Sequence, residues 1–383
     1  MIRRPPRSTH STGRRQRQMC IRDRGKGDQR VEKEPETAAE ICRLLEYLPL
    51  GIELVGGYLV KDPEISLLII LQELQAQKLA AVALQQRETL ISSQLGVKAA
   101  FNLTWERLNP LAQQLGRLLS LFSPQSILWD LVVWVARGDE EEATGEEGEE
   151  QQEENPLNWS AQELNEARKQ LYERNLLQKV EETEGYYKIH SLVRWFLQSQ
   201  LVESGEMKSV LERTFATAMI TIAQNIPPSP ISEDIESFKD TIPHLEELGR
   251  RLIKEIEESK EEQVFSLLEV KDNEVTWVFI GIGRFYEGQG LYKLAEPWRE
   301  ECLAVCQVLF TGDHPDVASS LNNLALLYYS QGRYSEAEPL YTEALAMRKR
   351  LWSGDHPDVA SSLNNLALLY KSQGRYSEAE PLY

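Results

Sequence analysis

The chain has 383 residues, 42% of them hydrophobic, and a formal net charge of −18. This composition supports buried cores in two or three domains, and the charge argues against nucleic acid or an anionic membrane as partner. No apolar run reaches membrane-spanning length, no secretory signal is visible, and the four cysteines form no disulfide framework. We therefore expect a protein of the reducing cytoplasm.

Residues 1–24 carry eight arginines and one aspartate, with almost no apolar periodicity. One interpretation is a disordered basic arm that binds nucleic acid. The stretch from Gln18 to Asp23 also resembles translated sequencing-adapter sequence, and an artefact of that kind is the interpretation we favour. We expect the genuine chain to begin near Gly25, inside a domain, and Tyr383 to interrupt a helix, as in a fragment of a longer protein.

Residues 25–98 are predicted to form a helical subdomain. Ile41, Leu44 and Leu48 recur at helical spacing, Pro49 breaks or restarts the helix, and further amphipathic helix follows to about Ser93.

Residues 99–205 read as a second domain of helices around a short β-hairpin. Ser160 with Glu163 has capping-box spacing and begins a helix that runs to about Arg174. Residues 176–180 and 186–189 flank a Glu-Glu-Thr-Glu-Gly turn and predict the hairpin. This order matches a winged helix. The remaining predicted elements are helices at 111–122, 127–135 and 192–201, and an acidic, disordered insertion at 138–155.

After a predicted helical linker at 206–275, residues 276–383 repeat. TGDHPDVASSLNNLALLYYSQGRYSEAEPLY, from Thr311, returns from Ser353 with two of 31 positions changed, and a weaker copy comes one period of 42 residues earlier. Such self-similarity predicts stacked helical units. In each unit we expect a helix A, a turn at a glycine such as Gly332, and a helix B. The residues predicted to pack between the two helices are Leu321, Leu324, Ala325, Tyr328, Ala337, Tyr341 and Ala344.

The 42-residue spacing with NNLA and YSEAEPLY resembles the kinesin-light-chain-like subtype of the tetratricopeptide repeat. We therefore expect an all-α chain: a winged-helix-like domain with a short β-hairpin, followed by a tetratricopeptide-repeat solenoid. The resemblance implies a concave face, lined by the A helices, that binds a protein or peptide. The positions placed on or near it are Asn322, Asn323, Tyr329, Asn364, Asn365 and Lys371.

An alternative role for these asparagines is to join adjacent repeats, because an amide side chain both donates and accepts. His314 and His356 recur in the loops and are interpreted as caps or as solvent-facing turn residues. Cys302 and Cys306 are one helical turn apart and are interpreted as core residues, because they lack the further ligands of a metal site.

Two stretches resemble NB-ARC-type signalling ATPases of the STAND class. LEYLPLGIELVGGYL, from Leu45, resembles their Gly-Leu-Pro-Leu-Ala region, and YKIHSLVRWFL, from Tyr187, resembles the end of their winged helix. The resemblance implies that Pro49 packs against adenine and that His190 meets the terminal phosphate of ADP. A helix-breaking proline and a histidine at a hairpin–helix junction are the alternatives. The sequence contains no GxxxxGK[ST] loop, so we expect no cofactor and no ATP hydrolysis in this fragment, and ADP or ATP only in its parent.

The main functional prediction is a protein-interaction scaffold, the sensor part of a nucleotide-switched signalling protein, with self-association through the repeats as a further expectation. The alternative is a winged-helix transcription regulator. Arg168, Lys169 and Arg174 supply cations on its predicted recognition helix, but three glutamates lie among them. No nucleophile–base pair or HExxH motif indicates an enzyme.

Overall fold

The computed structural model describes residues 30–45, 49–84, 92–138, 156–181, 183–258 and 272–383. They divide into two compact modules. The first module holds the described residues up to Ser120 together with Pro124–Trp129 and Trp159–Ser204. The second holds those of Leu121–Ser123, Asp130–Asn158 and Gly205–Tyr383. The predictions for residues 1–24, and for 138–155 beyond Gly138, lie outside the described residues.

Helices and one small sheet occupy the first part of the chain. Some of the helices begin at side-chain caps: Asn109 accepts a hydrogen bond from the Ala112 amide at 2.7 Å, and the predicted capping box of Ser160 and Glu163 is present. In chain order the elements are α1 (Arg30–Lys33), α2 (Pro35–Leu44), α3 (Pro49–Lys61), α4 (Leu67–Leu84), α5 (Ser92–Trp105), α6 (Pro110–Leu119), β1 (Ile127–Leu128), α7 (Trp129–Arg137), α8 (Ala161–Glu173), β2 (Gln178–Lys179), β3 (Tyr186–Lys188) and α9 (Ser191–Val202).

The sheet has three antiparallel strands in the order β1-β3-β2. The β2–β3 hairpin confirms the prediction, with Lys179 opposite Tyr187. The predicted helix at 127–135 is wrong at its start, because Ile127 pairs with Tyr187 in β1 before α7 begins at Trp129. The buried Ile127 gains a strand partner for its backbone there, which a helix start would not supply.

Aromatic stacking fills the core of the first module. Phe101 stacks on Phe196 with ring centroids 5.0 Å apart, and Trp105 meets Phe196 edge-on at 5.8 Å. These contacts join α5 to α9, the helix that follows the hairpin, and fix its position.

The second module is a stack of helical pairs. Repeat 1 is α13 and α14, repeat 2 is α15 and α16, and repeat 3 begins with α17 and α18; in each pair the first helix is helix A and the second is helix B. The helices of this module are α10 (Glu206–Asn225), α11 (Ser232–Phe238), α12 (Ile242–Glu258), α13 (Asp272–Gly288), α14 (Tyr292–Leu309), α15 (Pro315–Ser330), α16 (Tyr334–Leu351), α17 (Pro357–Ser372) and α18 (Tyr376–Ala379), with a 3-10 turn at Glu380–Leu382.

The turn between the two helices of each repeat needs glycine. Gly290, Gly332 and Gly374 have φ values of 70°, 74° and 75°, in the left-handed region that side chains disfavour. All seven residues predicted to pack between helices A and B of repeat 2 are buried. The predicted repeat plan is therefore confirmed at its turns and in its core.

The stack begins before repeat 1. Gly281 of α13 lies so close to α10 that a Cβ there would be 2.9 Å from the Ala223 Cα. The Tyr286 hydroxyl donates to Glu246 of α12 at 2.6 Å, as Tyr328 donates to Glu300 of the preceding helix B at 2.9 Å. Helices α10 and α12, which fall in the predicted linker, thus stand where helices A and B of a preceding repeat would stand.

None of the described helices is both long and apolar enough to cross a bilayer.

Candidate protein-interaction surface

Two hydrogen bonds join helix A of repeat 2 to helix A of repeat 3. The Asn365 Nδ2 donates to Asn322 Oδ1 at 2.9 Å, and the hydroxyls of Tyr329 and Ser372 are 2.8 Å apart. Each bond spans 43 residues, one more than the repeat period. Because Asn322 and Tyr329 are seven residues apart in one helix, the two bonds lie about two helical turns apart on one stripe. We call this stripe the seam face; it consists of Asn322, Leu326 and Tyr329 in repeat 2 and of Asn365, Leu368 and Ser372 in repeat 3.

The seam face gathers three of the six residues predicted to bind a partner. Asn322 and Asn365 meet, which confirms the interpretation that these two asparagines join adjacent repeats. Tyr329 is half-buried and also bonds across the seam. The other three are the half-buried Asn323 and the exposed Asn364 and Lys371.

The amide pair keeps hydrogen-bonding capacity on its open side. Its bond uses one N–H of Asn365 and one lone pair of Asn322. The Asn322 amide nitrogen and the Asn365 carbonyl oxygen remain as one donor group and one acceptor on two half-buried side chains. An extended main chain offers the same alternation of acceptor and donor.

Two exposed leucines lie between the two seam bonds. Leu326 is 44% exposed and Leu368 is 38% exposed. They occupy the same position in successive repeats, one turn from the amide pair and one turn from Tyr329 and Ser372. Sequence reasoning missed them, although their 42-residue spacing on the face opposite the buried Leu324 was visible.

In repeats 2 and 3, an arginine at the start of helix B is held by glutamates. Arg333 Nη1 donates to Glu296 of repeat 1 at 2.6 Å, its Nε donates to Glu336 at 2.7 Å, and it lies 4.1 Å from the Tyr328 ring centre. Arg375 repeats the arrangement with Glu338, Glu378 and Tyr370. These cations therefore stabilise contacts between repeats and are already neutralised.

Another arginine is buried between repeats 2 and 3. Arg348 is 8% exposed and donates to Ser362 Oγ at 2.8 Å, to the Asp358 carbonyl oxygen at 3.2 Å and to Ser319 Oγ at 3.3 Å. Burial lowers the pKa of this guanidinium.

Repeat 1 has cysteine at the equivalent position. The Sγ of Cys306 is 3.2 Å from Ser320 Oγ, and that of Cys302 is 3.6 Å from the same hydroxyl. The hydrogen bond between Cys306 and Cys302 and the burial of Cys306 raise the pKa of the Cys306 thiol, so this thiol stays protonated. Both are buried, as predicted. Within the described ranges, no cluster of three His, Cys, Asp or Glu side chains is arranged to hold a metal.

The seam face is interrupted in repeat 1. Arg284 stands where repeat 2 has Leu326, and it donates to the Ile226 carbonyl oxygen at 3.0 Å while lying 5.3 Å from the Trp277 ring centre. Burial lowers the pKa of Arg284. The open part of the face thus belongs to repeats 2 and 3.

The loop histidines cap the A helices, which is the first of the two roles predicted for them. His314 Nδ1 accepts a hydrogen bond from the Asp316 amide at 3.2 Å, and its ring stacks on Phe310 at 3.7 Å. His356 repeats this with the Asp358 amide at 3.2 Å and with Trp352 at 4.4 Å.

In the first module, the two residues with predicted nucleotide roles mark helix starts. Pro49 is the first residue of α3. His190 is exposed and caps α9, with its Nδ1 accepting from the Leu192 amide at 3.2 Å. The junction role of His190 is therefore observed, and its phosphate role stays a prediction.

The cations of the predicted recognition helix α8 make contacts within the first module. Arg168 lies 4.6 Å from the Trp129 ring centre and 5.4 Å from that of Tyr187. Arg174 is 3.8 Å from Asp62. Lys169 is exposed. Two of the three cations that would meet phosphates are thus engaged with aromatic or acidic neighbours.

Comparison with known families identifies the repeats. Residues 274–350 and residues 359–383 each match a family model described as tetratricopeptide repeat. This part of the chain is therefore a tetratricopeptide-repeat array, which confirms the class predicted from the sequence, and arrays of this class serve as protein-interaction scaffolds. No curated protein matches the sequence.

The solved structures that match this chain include the following two. BtubC (BKLC) from P. vanneervenii shares 22% identity over 49% of this chain and 74% of its own, with a TM-score of 0.31. A Signal Transduction ATPase with Numerous Domains (STAND) protein with a tetratricopeptide repeat sensor, from Pyrococcus horikoshii, shares 14% identity over 96% of this chain, with a TM-score of 0.31. This chain spans 58% of that protein. Neither superposition establishes a shared overall arrangement.

Proposed function

We infer that this chain is a scaffold whose seam face binds an extended segment of a partner protein. The observation that carries the inference is the Asn322–Asn365 pair, which spans two repeats and still offers one donor group and one acceptor. A main chain that runs along the seam satisfies both groups at once. Because the pair is half-buried and fixed by its own bond, little side-chain entropy is lost when the segment binds.

The other predicted contact residues surround this pair. Tyr329 and Lys371 occupy equivalent positions one repeat apart, so a segment along the seam has a phenol ring on its repeat 2 side and an ammonium group on its repeat 3 side. Asn323 and Asn364 extend the polar surface to either side of the pair. In this proposal they are secondary contacts, and the amide pair fixes the position of the main chain.

The experiment compares binding and folding in the same variants. Asn322→Ala with Asn365→Ala removes both free groups, and we expect at least tenfold weaker binding of a partner segment, since each lost bond in a partly buried groove costs about 1–3 kcal/mol. Circular dichroism should show unchanged helical content. Asn165→Ala, at an exposed position on α8 of the first module, is the control and should change neither quantity.

Two results would count against the inference. If the double variant loses its helical content, the asparagines are needed for folding alone. If it binds and folds as before, the partner uses another surface, such as the loops around His314 and His356.

The nucleotide switch is the finer part of the proposal. Pro49 and His190 take their adenine and phosphate roles in a parent protein that supplies a phosphate-binding loop, and this chain alone is expected to bind ADP weakly or not at all. Calorimetric titration with ADP tests this, and tight binding that His190→Ala abolishes would contradict it. DNA binding by the first module remains the alternative, and it requires Arg168 to leave the rings of Trp129 and Tyr187.

A further inference from the structure

The two A helices that form the seam face are almost uncharged. Helices α15 and α17 have 16 residues each, and their charged residues are Asp316, Asp358 and Lys371 in a chain of which 27% is charged. Both aspartates lie in the first turn. Helix α16, by contrast, carries six charged residues among 18. The low charge therefore belongs to the A helices and not to the repeats as a whole.

The arginines nearest to this face have partners already. Arg333 and Arg375 are bonded to glutamates, and Arg348 is buried against neutral oxygens. A charged ligand would gain little Coulomb energy from them, because their charges are neutralised or screened from the face. Lys371 is the one cation that α15 and α17 themselves carry.

The centre of the face is apolar. Leu326 and Leu368 are exposed between the Asn322–Asn365 bond and the Tyr329–Ser372 bond. Hydrogen-bonding groups thus flank an apolar spot on both sides. This arrangement suits a segment that hydrogen-bonds through its main chain and buries an aliphatic side chain between the two leucines.

We propose that the seam face of repeats 2 and 3 selects an extended, uncharged segment of a partner protein that inserts an aliphatic side chain between Leu326 and Leu368. The proposal rests on the binding function inferred above and specifies the chemistry of its ligand. Two consequences follow. Binding is insensitive to ionic strength, because no charge pair contributes to it. Burial of the leucines contributes most of the affinity.

The probe is a random twelve-residue peptide library displayed on phage and selected against the full chain. We expect enriched peptides to carry aliphatic residues and little net charge. Their Kd, measured by fluorescence anisotropy, should change less than about twofold between low and high salt, across which the screening length falls from roughly 10 Å to roughly 3 Å.

Matched variants test the leucines. Leu326→Asp and Leu368→Asp should each weaken the enriched peptide at least about tenfold, because a carboxylate would then face the aliphatic side chain. Leu294 of α14 is also exposed, at 50%, and lies off the seam face at the position where repeat 2 has Glu336. Leu294→Glu copies a residue that the fold accepts there, so it should leave Kd unchanged. Circular dichroism checks that all three variants keep their helices.

The possible failures are distinguishable. If acidic or basic peptides are enriched and salt weakens them strongly, while Asn322→Ala with Asn365→Ala still abolishes binding, the ligand class is wrong and the binding function stands. If the peptides bind the leucine variants as before but do not bind the asparagine double variant, the ligand class is again wrong and the binding function stands. If no peptide is enriched, or if binding depends on neither set of residues, both the binding function and the ligand class are wrong.

Discussion

Repeat 1 and repeat 2 share one helical plan but fill equivalent positions with different chemistry. Where repeat 2 has Tyr329 and Tyr341, repeat 1 has Glu287 and Arg299. Arg299 is 5% exposed and makes two bonds to Glu287, at 2.7 and 2.9 Å. The plan therefore depends on the glycine turn and on the small residues where helices A and B cross, whereas the larger positions accept either aromatic rings or an ion pair.

The largest expected effect comes from breaking the ion pair of repeat 1. Glu287→Ala leaves the guanidinium of Arg299 buried without its carboxylate, and we expect the free energy of unfolding of the second module to fall by about 3–5 kcal/mol. Urea unfolding followed by circular dichroism measures the loss.

A double substitution sharpens the comparison. Glu287→Tyr together with Arg299→Tyr gives repeat 1 the residues of repeat 2 at both positions, and it should recover most of the lost stability. Failure of the double variant to recover it would show that the surroundings of repeat 1 require the ion pair.

A buried histidine in α12, before repeat 1, makes the stability of the second module depend on pH. His244 of α12 is fully buried, and its Nδ1 accepts a hydrogen bond from the Ser123 amide at 3.1 Å. Burial lowers the pKa of His244 to about 4, against a smaller opposing effect of Glu247. Below pH 6.5 the unfolded chain binds a proton that the folded chain refuses, so stability falls between pH 6.5 and about 4, by about 3 kcal/mol in all.

The test compares the unaltered chain with His244→Gln at pH 7 and at about pH 4.5. Glutamine can accept the same backbone hydrogen bond but does not titrate, so the variant should lose less stability on acidification. An identical loss in the two proteins would assign the pH dependence to other groups.

The smallest expected effects on stability come from two arginines in helix B of repeat 2. Arg348 is buried and donates three hydrogen bonds, whereas Arg350 is 56% exposed and pairs with Asp313 at 2.6 Å. Arg348→Ala should cost about 2 kcal/mol, and Arg350→Ala should cost clearly less, because water screens an exposed ion pair. Amide hydrogen exchange in α17 reports the first loss and exchange in α15 reports the second, and equal effects would contradict the comparison.

Period and glycine position predicted most of the repeat fold. The positive φ of Gly332 and the burial of Ala325 and Ala337 follow from a pattern that recurs locally and identically. The caps at Ser160 and His314 were also predictable, because a cap involves residues two or three positions apart.

Contacts between distant residues were harder to predict. The pairing of β1 with β3 joins Ile127 to Tyr187 across the acidic insertion, and a two-residue strand has no periodicity to detect. The Asn322–Asn365 bond shows why the candidate site was only partly predictable. The sequence identified both asparagines. Whether they bind a partner or each other depends on their spacing across the seam, which is 43 residues, one more than the repeat period.

That offset has a consequence for how such a chain can evolve. Repeats 2 and 3 each carry one asparagine placed to donate to the repeat before and one placed to accept from the repeat after. Duplication of one such 42-residue coding segment therefore inserts a unit that is already matched to its neighbours. The two long copies differ at two positions. One is Tyr329 and Lys371, on or beside the proposed binding surface, and the other is Thr311 and Ser353, in the loop before helix A. Gene duplication followed by a single codon change can therefore alter recognition and leave the scaffold intact.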